Sequence, residues 1–255
     1  MTGASAGIGR AFAERLARDG WDVTIVARRG ARLRSLARQL HRDHRARIGV
    51  VIADLTKQDD LASVEARIVR DRNLDLLVNN AGMGDFGPFH ERDRNAHDAE
   101  IRLNVLALVR LTHAALPGMV RRGAGSVINV SSLAAFQPCP FIATYGATKA
   151  FLNSFTEALR EELRGTGVQV QALCPGGTQT ELFERAGVDV SALPSFVWME
   201  PEAVVAESLG ALERGSGICV PGIGNRALSS LTGLLPTELL LRVGGAVGRR
   251  FRHTP

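Results

Sequence analysis

Tyrosine is nearly absent from this chain. Tyr145 is the only one, and all aromatic residues together make up 5% of 255 residues. One tyrosine and two tryptophans leave little with which to stack nucleobases. Cysteine is also scarce. Cys139, Cys174 and Cys219 are odd in number and show no paired or zinc-like spacing. That excludes a disulfide framework and leads to the expectation of a reducing, cytoplasmic compartment. The histidines offer no metal pattern, since His41 and His44 fall in HRDHRAR, a solvated helix end. No leader is expected before the first motif, and no apolar run reaches the ~18 residues of a spanning helix. Positive charge is present, with a net +5, but it is spread along the chain as arginine. A nucleic-acid partner, which needs clustered charge, is therefore not expected.

What is present is ordinary for a soluble α/β protein: 45% hydrophobic and 22% charged residues. Strand-like and helix-like segments alternate. Helical spacing over 8–19 is followed by strand 22–27, helix 30–45, strand 47–53, helix 58–71 and strand 74–78. Helix 92–121, strand 125–132, helix 143–164, strand 167–177, helix 201–214 and strand 218–220 complete the series. Such alternation predicts a parallel sheet covered on both faces, within one domain. Residues 1–222 are expected to make up its main body, and 223–255 an apolar, basic tail packed on the same domain.

Three stretches carry chemistry. Gly3, Gly7 and Gly9 in TGASAGIGR could bring backbone close to a pyrophosphate at a helix start, or could be a plain glycine turn. Arg28 and Arg29 close the strand at 22–27, and no acid stands there. At that position an acid selects a free ribose 2′-hydroxyl and arginine a 2′-phosphate, so NADP(H) is favoured over NAD(H). A solvated arginine pair is the plainer alternative. Asp54 ends the next strand, where it could accept from an adenine amino group or cap a helix. Asn104, on an apolar helix, is either a structural anchor or part of a site.

Tyr145 and Lys149 are i,i+4 neighbours on one helix face, and Ser132 precedes Tyr145 by thirteen residues. An adjacent ammonium should pull a phenol down from its ordinary pKa near ~10, toward a value useful for proton transfer. The serine hydroxyl can donate to a carbonyl oxygen. The set suits proton transfer on a carbonyl or alcohol oxygen while another group moves a hydride.

TGASAGIG (2–9), Asp54, NNAG (79–82), Asn104, Ser132, Tyr145-x-x-x-Lys149 and PGGTQT (175–180) occur in an order that resembles the short-chain dehydrogenase/reductase family over nearly the whole chain. The resemblance implies a Rossmann-like doubly wound sheet of order 3-2-1-4-5-6-7. It makes Tyr145 the acid/base, Lys149 the residue that tunes it and holds the nicotinamide ribose, Ser132 the substrate-positioning group and Asn104 the anchor of a relay water. Ser5, Ile8, Arg28, Asp54, Leu55, Asn80, Ala81 and Gly82 would line the cofactor. Pro175, Gly176, Thr178 and Thr180 would hold its carboxamide end. A homodimer or homotetramer is implied, paired through the helices of Asn104 and Tyr145. One departure is plain: Met1 directly precedes Thr2, where the family has a strand. The expectation is a sheet lacking its first strand, weakened by unpaired ladder groups, and a natural chain that starts upstream of Met1.

Residues 178–200 carry Phe183, Leu193, Phe196, Trp198 and Met199, which suit a lid over a small apolar carbonyl or alcohol, or simply pack on the core. The tail could be an amphipathic helix on a membrane surface; packing against protein is preferred because its apolar run is short and broken at Pro236. The leading functional reading is an NADP(H)-dependent carbonyl reductase or alcohol dehydrogenase. The alternative is an NADP(H)-binding sensor or scaffold without turnover.

Overall fold

The computed structural model describes residues 1–178, 181, 198–232 and 235–250. In chain order the elements are α1 (Gly7–Arg18), β1 (Val23–Ala27), α2 (Gly30–His44), β2 (Ile48–Ile52), α3 (Gln58–Arg70) and β3 (Leu76–Asn79). Then follow α4 (Arg94–Arg122), β4 (Gly125–Val130), α5 (Ala143–Glu162), β5 (Val168–Leu173) and β6 (Gly177–Thr178). β7 (Trp198–Met199), α6 (Pro201–Glu213), β8 (Ile218–Cys219), α7 (Ile223–Thr232) and α8 (Thr237–Arg250) close the series.

Apolar spacing decides which face each helix buries. In α1, Ile8, Phe12 and Leu16 recur at four-residue intervals and are buried against the sheet. The strands pair in parallel, β2 with β1 on one side and β3-β4-β5-β8 on the other. α1, α2 and α6 cover one face: Phe12 and Val204 meet Ile128 and Leu173, while Leu33 and Leu36 pack near Ile25. α3, α4 and α5 cover the other, where Leu61, Leu111 and Met119 pack on Leu77, Val127 and Val170. This is a doubly wound Rossmann-like fold, and its strands end together at one edge.

Among the described residues, the start of the chain joins the two parts of the sheet. Met1 and Thr2 lie between β1 and β3: the Thr2 N–H donates to Val78 O (3.0 Å), the Val26 N–H to Met1 O (2.9 Å) and the Met1 amine to Thr24 O (2.7 Å). Among the described residues no other strand lies between the two edges, and a cavity of about 710 Å³ opens there, lined by Val23, Thr24, Leu76 and Leu77 among others.

One reading from composition needs correction. The helix Arg94–Arg122 does contain an apolar window long enough to cross a membrane. The window is apolar on average but is interrupted by Asn104, Arg110, Thr112 and His113, so it does not stand out in sequence as an unbroken apolar run. It is a core helix, with Ala107, Leu111, Ala115 and Met119 buried on the sheet. Inside it, Arg102–Ala107 winds as a π-helix, a local widening often found where a helix carries function.

Candidate active site

Ser132 and Tyr145 meet at the carboxyl edge of the sheet. Ser132 follows β4 and caps the 3₁₀ turn Leu133–Phe136, its hydroxyl accepting from Ala134 N–H (3.2 Å). Tyr145 lies in the first turn of α5 and is buried. The Ser132 hydroxyl stands in the same pocket as the phenol and favours the phenolate. Lys149 stands one turn further along, also buried. Its ammonium donates to Val130 O (2.8 Å) and lies 5.5 Å from the centre of the Tyr145 ring.

The expected depression of the Tyr145 pKa by Lys149 is not what the structure gives. Burial dominates and pushes the phenol up to about 12, with the Ser132 hydroxyl pulling against it and the Glu100 carboxyl adding to the rise. Lys149 goes down to about 8, again through burial. The reason is geometric: i,i+4 spacing puts the ammonium over the ring face, turned to a strand carbonyl, rather than against the phenolic oxygen. At neutral pH the phenol is therefore protonated and placed as an acid.

Asn104 sits in the π-helical segment, and its amide is fully engaged. Oδ1 accepts from Met83 N–H (3.0 Å), and Nδ2 donates to Met83 O (2.8 Å) and to the Thr148 hydroxyl (3.1 Å). Thr148 in turn donates to Tyr145 O (2.8 Å). The side chain thus ties the 82–84 stretch to the Tyr145 helix. Four residues before it lies Glu100, fully buried, with both carboxylate oxygens lacking a hydrogen-bond partner. Its pKa is pushed up to about 7, first by burial and then by Asp85, while Lys149 pulls it down. Nothing in the sequence signalled Glu100 except a lone acid on an apolar helix face.

The glycine turn fits a dinucleotide. Gly3 and Gly7 have φ of 70° and 51°, which side chains disfavour. A Cβ on Gly3 would fall 2.9 Å from Ala81 Cα, and one on Gly9 would collide with the Gly3 carbonyl. No side chain caps the start of α1 and no acid stands in its first turn, so its N–H groups are open to a phosphate. Asn80 and Ala81 brace this turn: their N–H groups donate to the Thr2 hydroxyl (3.0 and 2.9 Å), and the Asn80 amide donates to Thr2 O (3.0 Å). Ile8 and Leu55 are buried beside the cradle, and Gly82 borders Lys149 and Asn104.

The two arginines diverge. Arg28 is mostly exposed, its guanidinium 3.9 Å from Asp54. Asp54 accepts from Thr56 N–H (3.1 Å) and the Thr56 hydroxyl (2.8 Å) and does not cap α3. Its carboxyl is held below the usual range by those Thr56 bonds and the nearby Arg28 and Lys57 charges, against the cost of burial. Arg29 turns inward. It donates to the Ser5 hydroxyl from Nε (3.1 Å) and Nη2 (2.8 Å), and from Nη1 to Glu181 (2.6 Å).

After β5, Pro175 O accepts from Leu133 N–H (2.9 Å), and the buried Thr178 hydroxyl donates to Gly176 O (3.2 Å). Asn225 of α7 packs against Gly176 and donates to Pro221 O (2.8 Å), a brace the sequence did not reveal. Gly177 and Thr178 pair with Trp198 and Met199. Thr180, Phe183, Leu193 and Phe196 lie outside the described residues. The tail closes over the Tyr145 side: a Cβ on Gly248 would collide with the ring of Phe141, and one on Gly244 would fall 3.2 Å from Pro140 Cδ.

A glycine cradle and a buried, protonated phenol at one edge of a doubly wound sheet suit an oxidoreductase built around a nucleotide carrier. The short chain dehydrogenase family model matches residues 1–190, and the chain belongs to that family. It is 39% identical over 197 residues to sulfoacetaldehyde reductase 2 of Chromohalobacter salexigens, covering 75% of this chain and 77% of that one. Among solved structures it is similar to a short-chain dehydrogenase from Sphingobium yanoikuyae in complex with NADPH, at 38% identity and a TM-score of 0.85 over 92% and 91% of the two chains. It is also similar to a bulky-bulky ketone specific alcohol dehydrogenase from Comamonas testosteroni, at 32% identity and a TM-score of 0.79, over 100% and 93%.

Proposed function

We propose that the protein is an NADP(H)-dependent oxidoreductase that interconverts a carbonyl and an alcohol, with Tyr145 as acid/base. The observation that carries this is the buried Tyr145 with buried Lys149 one helical turn on and Ser132 in the same pocket, at the same edge as the glycine cradle. The nicotinamide, when bound, supplies or takes the hydride. Gly3, Gly7 and Gly9 with the open start of α1 would hold its pyrophosphate, and Arg29 with Ser5 its adenosine ribose. In reduction, the protonated Tyr145 phenol delivers its proton to the carbonyl oxygen, which Ser132 orients by hydrogen bonding. Lys149, held on Val130 O beside the ring, would hold the nicotinamide ribose.

An apolar substrate is favoured by the surroundings of the phenol, where Gly84 leaves Tyr145 and Phe86 in contact range and Phe141 stands ahead of α5. The relatives' names support carbonyl chemistry, the bulky-ketone alcohol dehydrogenase being the one that suits an apolar substrate and the sulfoacetaldehyde reductase one that takes an anionic aldehyde. A cytoplasmic homo-oligomer is part of the same reading, and a sensor without turnover is disfavoured because a pure binder has no use for a buried phenol set beside a serine and a buried lysine.

The test is a panel of ketones, aldehydes and alcohols followed by nicotinamide absorbance with both coenzymes. Tyr145→Phe is expected to lower turnover by roughly 10²–10⁴-fold while NADPH still binds. Undiminished turnover in that variant, or NADH preferred by the wild type, would overturn the proposal.

A further inference from the structure

A carboxylate stands where the proposed function requires an anion site. Glu181 is gripped by two arginines of the α2 start: Arg29 Nη1 donates to one of its oxygens (2.6 Å) and Arg32 to the other. Arg29 is held from its other side by the Ser5 hydroxyl, which fixes the plane of the guanidinium. Ser5 belongs to the glycine turn, and Arg29 to the end of β1. A cationic pair at that strand end is the place where dinucleotide folds receive the ribose 2′-substituent. Guanidinium groups recognise carboxylates and phosphates by the same two-pronged hydrogen bonding, so both anions fit the same donors. Glu181 and Arg29 are each about two-thirds buried, at 31% and 30% side-chain exposure, so the pair is only partly screened by solvent. Glu181 is 152 residues from Arg29 in sequence, so no local pattern announces the pairing.

We propose that Glu181 is a specificity-determining residue, an internal anion that competes with the nucleotide 2′-phosphate for Arg29 and Arg32. This rests on the NADP(H) reading above and deepens it. NADP(H) must release Glu181 from the two guanidinium groups, whereas NAD(H), with a 2′-hydroxyl, leaves the pairing in place. A group that binds only one of two competing states weakens the other ligand by its own pairing free energy. Glu181 therefore lowers the affinity for the 2′-phosphorylated coenzyme and narrows its advantage over the other. Arg29 and Arg32 stay paired while the site waits, so two like charges are never left facing each other.

The experiment measures dissociation constants of NADPH, NADH, 2′,5′-ADP and 5′-ADP by calorimetry for the wild type, Glu181→Gln and Glu181→Ala, with folding checked by circular dichroism. Two partly exposed ion pairs correspond to a gain of roughly three- to tenfold. NADPH and 2′,5′-ADP should bind the variants that much more tightly, with NADH and 5′-ADP within about twofold of wild type. Unchanged or weaker 2′,5′-ADP binding in both variants overturns the role of Glu181. If wild type and variants alike bind 2′,5′-ADP no better than 5′-ADP, the NADP(H) reading itself fails, and the inference with it. The use of two substitutions keeps the result readable if one variant folds poorly.

Discussion

Burial is the largest influence on the protonation of Tyr145, Lys149 and Glu100, and Glu100 shows it most clearly. Its carboxyl holds a proton up to about pH 7 because desolvation and the nearby Asp85 charge oppose ionisation more than Lys149 favours it. The unfolded chain loses that proton near the ordinary value of 4.5. Between those two values the native state binds a proton that the unfolded state does not. This group's contribution therefore falls as pH rises from about 4.5 and levels off above about 7, a change of order 1–3 kcal/mol. Glu100→Gln, neutral throughout, should flatten that dependence and exceed the wild type in stability at pH 8 by more than at pH 5. Urea unfolding at the two pH values checks it, and parallel curves for the two proteins would refute it. Tyr145 and Lys149 could be read from the sequence because helical spacing alone puts them on one face. Their pKa values could not, since those depend on how deeply the face is buried and on where the ammonium points. Glu100, Glu181 and Asn225 were invisible for a related reason: each matters through a partner distant in sequence.

At the level of elements, alternation and helix ends carried most of the information. Strand starts and stops fall within two residues of expectation for β1, β2, β3 and β4, because apolar β-branched runs end at turn residues there. The β6–β7 pairing was missed, since two dipeptides twenty residues apart have no periodicity to display. The centre of the sheet is the element with the most to gain. Thr24 and Leu76 border a cavity of about 710 Å³ instead of a neighbouring strand. An apolar, β-branched pentapeptide grafted before Met1 should run parallel between β1 and β3, adding ladder hydrogen bonds worth about 0.5–1.5 kcal/mol each and burying apolar surface. At roughly 2–4 °C per kcal/mol for a chain of this size, the melting temperature should rise by at least about 5 °C. A Gly/Ser graft of equal length is the control. Equal melting temperatures for the two grafts would show that the slot does not accept a strand.

For the whole molecule, the outer surfaces of α4 and α5 are the ones that look unfinished. Ile101 and Leu106 on α4 and Phe151 on α5 are exposed, and Phe151 stacks on Phe155 with ring centres 5.7 Å apart. Single exposed apolar residues need no explanation, but here they recur on the two helices that carry Asn104 and Tyr145. A two-fold axis would set this patch against its own copy, as self-association through one surface requires. The catalytic helix would then be braced from outside, while Ser132 holds its Tyr145 end from within. The expected species is a dimer or a tetramer by light scattering at micromolar concentration. Leu106→Glu combined with Phe151→Glu should shift it to monomer by placing like charges opposite each other across the axis. The α8 face, with Leu239, Leu241 and Val243 exposed, offers the rival surface. If the double variant keeps its assembly and charge substitutions at those three positions abolish it, pairing runs through the tail instead. A wild type that stays monomeric across the concentration range removes self-association altogether, and exposed α8 then becomes the surface to test against anionic vesicles.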